Sequence, residues 1–116
     1  MDSAMKVVAK AMVRQVRISP AKVRQVLALI EGKKAEEAMT TLRFSPQKAA
    51  RVVLKVLQSA IANAEHNYGM DTDKLRVLAA YADQGPSMKR FRPAARGSAH
   101  PYVHRTSHVT VTVAEG

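Results

Sequence analysis

One segment near the carboxyl end, residues 84–105, limits how this chain can fold. It contains three of the five prolines, two of the five glycines and few large aliphatic side chains. An unstructured loop of about 20 residues is uncommon in a compact domain unless it is functional or ordered by a partner. Because strand-like sequence precedes and follows it, we predict a long β-hairpin over about residues 84–107 whose two arms leave the body of the protein.

Basic residues are segregated along the chain rather than mixed with acids. There are 19 Lys and Arg against 9 Asp and Glu, a formal net charge of +10. Residues 3–30 contain six basic residues and no acid, and residues 84–114 contain five basic residues and no acid. A surface charged only for solubility would intersperse both signs. The segregation therefore favours a polyanionic partner, and nucleic acid before an anionic membrane surface.

Length and hydropathy are those of one soluble domain, residues 1–116. No apolar run reaches 18 residues, and Lys6 and Lys10 interrupt the first apolar stretch. We therefore expect neither a transmembrane helix nor a secretory signal. The chain has no cysteine, so it offers no disulfide, no thiolate ligand for zinc and no thiol nucleophile.

Three helices are predicted before the hairpin, over residues 20–31, 35–42 and 46–67. The pattern Arg, apolar, Ser, Pro, any residue, Lys occurs twice, at residues 17–22 and 43–48. In each copy the serine is expected to cap a helix and the proline to take its first position. Free N–H groups at a helix start also favour an anion, so phosphate binding is a second interpretation that can coexist with capping. Gly32 and Gly69 are predicted to end the first and third helices.

Strand-like sequence occurs at three places. Residues 75–81 precede the hairpin, and residues 108–113 alternate strictly, with the valines on one face. Residues 6–17 fit a strand or a helix, because basic residues four apart share a face of either. Three strands and three helices predict an α+β fold, in which a three-stranded antiparallel sheet packs on three helices and a long β-hairpin protrudes.

No motif of an enzyme active site is present in the sequence. The patterns GxSxG, GxxxxGK[ST], GxGxxG and HExxH are all missing. His100, His104 and His108 are spaced by four, but in extended chain such neighbours are about 13 Å apart, too far to share a metal ion. We therefore predict no catalytic residue, no metal site, no cofactor and no enzyme activity.

Several separated motifs resemble one known family. They are ISPAKVR at 18–24, SAIANAEHN at 59–67, GPSMKR at 85–90, RPAARG at 92–97 and RTSHVTV at 105–111. Over residues 14–113 the chain resembles the bacterial L-twenty-two family of large-subunit ribosomal proteins. The resemblance implies an α+β body bound to large-subunit ribosomal RNA and a β-hairpin that lines the nascent polypeptide exit tunnel. It also implies a cytoplasmic, ribosomal location beside other large-subunit proteins, with no catalysis, no membrane and no homo-oligomer.

The predicted ribosomal RNA contacts are basic residues of the body and of the hairpin. Those of the body are Lys10, Arg14, Arg17, Lys22, Arg24 and Lys48. Those of the hairpin, carried over from the resemblance by position, are Lys89, Arg90, Arg92, Arg96 and Arg105. The hairpin tip is assigned to Arg92, Pro93, Ala94, Ala95, Arg96 and Gly97. The family usually has basic residues where this chain has Ala94, Ser98 and His104, so no phosphate contact is assigned there.

A free-standing architectural DNA-binding protein is the alternative function. It would use the two Ser-Pro-x-Lys helix starts and place the arginine-bearing hairpin in a minor groove. A basic membrane-active peptide fits less well, because the aromatic content is 4% and the hairpin is proline-rich. Phe91 and Tyr102, which lie among the basic residues of the hairpin, fit either stacking on unpaired bases or cross-strand packing.

Overall fold

The computed structural model describes residues 8–84, 88–93, 99–104 and 106–116. The elements in chain order are β1 (Ala9–Val16), α1 (Pro20–Ile30), α2 (Ala35–Arg43), α3 (Lys48–Tyr68), a 3-10 helix (Thr72–Lys74), β2 (Leu75–Gln84), β3 (Met88–Pro93), β4 (Ala99–His104) and β5 (Ser107–Glu115). The α+β prediction is confirmed. Among the described residues, no helix is both long and apolar enough to cross a bilayer.

The sheet of the body is antiparallel and has β5 at its centre, with β1 on one side and β2 on the other. The predicted alternation of β5 is confirmed, because Val109, Val111 and Val113 are all fully buried. The ambiguous amino-terminal segment is a strand, in which Ala11 pairs with Val111 and Val13 with Val109. Its apolar residues thus alternate on the face that holds the valines, which a helix would not allow.

The three helices pack on the valine face of this sheet and close a single core. Helix α3 is the central element, and its predicted apolar stripe is confirmed. Val53, Leu57, Ala60 and Ala64 are buried, and Ile61 packs against the same cluster at its margin. The 3.6-residue period of the helix keeps these side chains on the face that meets β1 and β5.

Glycine conformation ends α1 and α3 at the predicted places. Gly32 has φ +81° and Gly69 has φ +63°, values that side-chain-bearing residues rarely adopt. The N–H of Gly69 donates to the carbonyls of Ala64 and Glu65, which closes the last turn of α3. A left-handed glycine at this position is a common way to stop a helix.

The helix starts differ in detail from the predictions. Ser19 precedes α1 with Pro20 in the first helical position, but its hydroxyl makes no capping hydrogen bond. Helix α3 begins at Lys48, two residues after the predicted start at Pro46, and Gln47 is its N-cap. The Ser45 hydroxyl instead accepts a hydrogen bond from the Gln47 N–H at 3.4 Å. This local serine turn competes with helical geometry and delays the helix.

The predicted hairpin is confirmed as a two-stranded antiparallel arm made of β3 and β4. Pairing runs from Met88 opposite His104 to Pro93 opposite Ala99. The ladder of the body ends at Gln84 opposite Ser107. Three residues therefore join the two ladders on the outgoing side and two on the returning side, so the registers of the two ladders differ by one residue. Among the described elements, β3 and β4 pack extensively only against each other.

Candidate nucleic-acid interface

The face of the sheet that points away from the helices carries one of the predicted contacts. Lys10 alternates with the core-facing residues of β1 and is exposed. On the same face a row of three paired residues crosses the sheet, from Met12 on β1 through Thr110 on β5 to Tyr81 on β2. Thr110 is buried, whereas Tyr81 is 45% exposed.

Tyr81 was missed as a functional candidate from the sequence. Ala80 and Ala82, the residues on either side of Tyr81 in β2, pair with buried valines, so Tyr81 points outward. An aromatic residue between two small apolar residues of a strand is the sequence pattern that could have identified it. An exposed aromatic ring can stack on an unpaired base, whatever the base. The outer face of the sheet thus carries an exposed ring, Tyr81, and an exposed cation, Lys10.

The other predicted contacts of the body are spread over its surface. Arg14 is exposed at a register shift in β1, and Arg17 is exposed just after that strand. Lys22 is exposed in the first turn of α1, and Lys48 is the exposed first residue of α3. All four residues are exposed and accessible to a phosphate, and they lie in or just after β1, in α1 and in α3.

Arg24 makes contacts within the protein that the sequence did not reveal. Its Nε and Nη2 atoms donate to the carbonyl oxygen of Ala82 on β2, at 3.1 and 2.7 Å. Ala82 is two residues from the end of the strand that leads toward the arm. Arg24 was predicted from its charge as a phosphate contact, and the structure shows that its guanidinium ties α1 to β2.

A second long-range hydrogen bond lies near the first. The Ser107 hydroxyl, at the start of β5, donates to the main-chain carbonyl of Ile18, and both residues are buried. Ser107 pairs with Gln84, so it belongs to the last rung of the body ladder before the arm. We call the two hydrogen-bonded pairs, Arg24 with Ala82 and Ser107 with Ile18, the arm root. They attach both strands that flank the arm to α1 and the chain just before it.

Three of the five predicted contacts of the arm lie in described strand. Lys89, Arg90 and Arg92 belong to β3, where they pair with Val103, Tyr102 and His100 of β4. All three histidines spaced by four lie in extended chain, His100 and His104 in β4 and His108 in β5.

Of the remaining predicted residues of the arm, some lie in β3 or β4 and others lie outside the residues that the structure describes. Phe91 pairs with Pro101 and not with Tyr102. Arg92 and Pro93 are the last paired residues of β3. Arg96 and Arg105 lie outside the described residues, as do the tip positions Ala94, Ala95 and Gly97.

An α+β body with dispersed cations and a cationic two-stranded arm belongs to the class of nucleic-acid-binding proteins that use both a surface and an extension. The model of the family described as Ribosomal protein L22p/L17e matches residues 11–114, and the chain belongs to this family. It is therefore a structural constituent of the large ribosomal subunit, binds ribosomal RNA and acts within the ribosome in the cytoplasm. Its family is of a structural, non-enzymatic kind, and its partners include other ribosomal proteins.

Proposed function

We propose that the chain binds large-subunit ribosomal RNA through the cations of its body and its arm, and that the arm lines the nascent polypeptide exit tunnel. The observation that carries the proposal is the β3–β4 arm itself. Its strands pack extensively only on each other among the described elements, and residues 84–114 contain five basic residues and no acid.

An arm built in this way needs a partner. Isolated two-stranded hairpins are marginally stable in water, because they cannot bury an apolar face. Pro93 and Pro101 lie in the two strands and donate no main-chain hydrogen bond, which weakens the ladder further. Since the arm's ionic groups are all basic, a polyanion is the partner that offsets both its charge and its weak pairing.

Binding of this kind is driven by counterion release. Each lysine or arginine that neutralises a phosphate frees a condensed cation from the RNA, so affinity falls steeply as salt is added. For about eight phosphate contacts, affinity is expected to fall about 10³- to 10⁵-fold between 50 and 200 mM salt. Tyr81 adds a stacking contact that does not depend on salt in this way.

The placement of the arm in the tunnel rests on the family and on the arm's dimensions. Six residues of β3 extend about 20 Å at 3.3 Å per residue, so Pro93 at its end lies well beyond Met88 at its start. Ala94 and Ser98 replace usual basic residues of the family near the tip, and His104 replaces one at the base of the arm, opposite Met88. These replacements leave fewer phosphate contacts along the arm, including at its tip. A tip that makes fewer contacts with RNA phosphates is better able to face the interior of the tunnel, where the nascent polypeptide moves.

Parallel titrations test the RNA proposal. The chain is titrated with a large-subunit ribosomal RNA fragment and with duplex DNA of similar length, at equal ionic strength. We expect at least tenfold tighter binding to the RNA. Equal or tighter binding to the duplex would contradict the proposal and favour an architectural DNA-binding role.

A cross-linking experiment tests the tunnel proposal separately. A photoreactive residue replaces Ala95 in ribosomes that carry a stalled, labelled nascent chain, and the control carries it at the exposed body residue Lys34. We expect labelled cross-links from position 95 and none from position 34. Absence of the nascent chain from the position 95 products would show that the tip does not line the tunnel.

A further inference from the structure

A groove runs along the free edge of β1, between this strand and α3. Its volume is about 480 Å³, within the range of sites that hold ligands. Valines from both elements form its floor, and an arginine and a lysine flank them. The floor is Val13, Val16, Val52 and Val56, and the flanking cations are Arg14 and Lys55. Of the predicted RNA contacts of the body, Arg14 lines this groove and Lys10, Arg17, Lys22, Arg24 and Lys48 do not.

The main chain of β1 presents hydrogen-bonding groups to this groove. β1 is an edge strand, paired only with β5 in the described sheet. The carbonyl of Lys10 accepts a hydrogen bond from Asn63 Nδ2 of α3 at 3.1 Å, so it points away from β5. In an antiparallel ladder alternate residues point the same way, which turns the N–H and C=O of Met12 outward as well. Asn63 thus occupies one end of the edge and leaves the next outward residue open to a partner.

We propose that this groove binds an extended segment of a neighbouring protein, which adds a short strand to the edge of β1. Strand addition takes its affinity from main-chain hydrogen bonds and its specificity from pockets for alternate side chains. The segment would place apolar side chains on the valine floor and a carboxylate between Arg14 and Lys55. The register shift between Val13 and Val16 interrupts the edge, so the added strand is short.

The lining favours a protein over RNA at this place. None of the described residues that line the groove is aromatic, so they offer no ring on which a base could stack, and a floor of half-buried and buried valines gains nothing from phosphate groups. An extended peptide uses all three features, the outward main chain, the apolar floor and the cations. Arg14, predicted from the sequence as a phosphate contact, then meets a carboxylate. The proposal goes beyond RNA binding and does not depend on the arm.

The test uses assembled large subunits that contain the chain with a photoreactive residue in place of Ser59, which lines the groove. We expect a cross-link to a protein segment with alternating apolar residues and at least one acid. Lys55→Glu in the same chain should lower the yield at least tenfold. Its matched control is Arg51→Glu, an exposed charge reversal one turn earlier on α3 outside the groove, which should leave the yield unchanged.

A cross-link to RNA, no cross-link, or equal loss in both variants would overturn the proposal. Incorporation of each variant into subunits is measured alongside, so that a defect in RNA binding is recognised as such.

Amide hydrogen exchange gives a second readout that needs no substitution. The Met12 amide should exchange at least about tenfold more slowly in the subunit than in the free chain, because it gains a strand partner. Equal exchange rates would overturn the proposal independently of the cross-link.

Discussion

Replacing Arg24 with alanine removes one half of the arm root. Two guanidinium donors meet the Ala82 carbonyl, at 3.1 and 2.7 Å. Hydrogen bonds from a charged donor contribute about 1.5–3 kcal/mol. Because the Arg24 side chain is largely exposed, water screens the charge and replaces part of the interaction. We therefore expect Arg24→Ala to lower the free energy of unfolding by roughly 1–1.5 kcal/mol.

The change in melting temperature that corresponds to this loss can be measured by calorimetry. An unfolding entropy of about 2.1 cal/mol/K per residue gives near 0.24 kcal/mol/K for a chain of 116 residues. Arg24→Ala should therefore lower Tm by about 4–6 °C. Lys22→Ala is the matched control, since Lys22 is an exposed cation on the same helix. It should change the free energy of unfolding by at most about 0.5 kcal/mol, or about 2 °C.

Arg24→Lys separates charge from geometry at the same position. Lysine keeps the positive charge but lacks the planar fork of donors that reaches one carbonyl twice. It should lose most of the stability that alanine loses while retaining most of the affinity for RNA. If Arg24→Ala and Lys22→Ala had the same Tm, the interpretation of Arg24 as a structural link would be refuted.

Three further substitutions and one control, Leu29→Ala, test the core, a helix end and the other half of the arm root by equilibrium denaturation. Leu57→Ala, at a fully buried position, should cost about 2–5 kcal/mol, whereas Leu29→Ala, at a position 44% exposed, should cost at most about 0.5. Gly32→Ala should cost about 1–2 kcal/mol through backbone conformation alone, because a Cβ there meets nothing within 4 Å. Ser107→Ala should cost about 1–3 kcal/mol, since it leaves the buried Ile18 carbonyl without its donor. A loss at Leu29 equal to that at Leu57, or no loss at Gly32 or Ser107, would contradict these assignments.

Much of the fold could be predicted from the local periodicity of apolar residues in the sequence. The apolar stripe of α3 and the valine alternation of β5 each depend on residues close in sequence, and both are confirmed. The glycine that ends α3 is equally local, because Gly69 must adopt a positive φ to close the last turn. The start of α3 was predicted two residues early, since the Ser45 hydroxyl satisfies the Gln47 amide before the helix begins.

Contacts between distant residues could not be predicted from a single sequence. Nothing near Arg24 signals that its partner is a carbonyl 58 residues away. Ser107 was missed for the same reason, because a serine at the start of a strand has no distinctive pattern. The groove beside β1 exists only because the sheet order leaves that strand at an edge next to α3. The segregated charge predicted a polyanionic partner. The fold determines which lysine and arginine side chains are exposed and can bind its phosphates.

The salt dependence of RNA binding tests the central claim, that cations of the arm neutralise RNA phosphates. In the arm variant, five residues become glutamine, namely Lys89, Arg90, Arg92, Arg96 and Arg105. In the control variant, five exposed basic residues of the body outside the proposed contacts become glutamine, namely Lys33, Lys34, Arg43, Arg51 and Lys74.

Affinity of the unaltered chain and both variants for a large-subunit ribosomal RNA fragment is measured between about 50 and 200 mM salt. Each lost phosphate contact reduces the slope of log affinity against log salt by about 0.7–0.9. The arm variant should therefore show a slope smaller in magnitude by about 3.5–4.5, and the control by less than about 1. Equal slopes for the two variants would contradict the account.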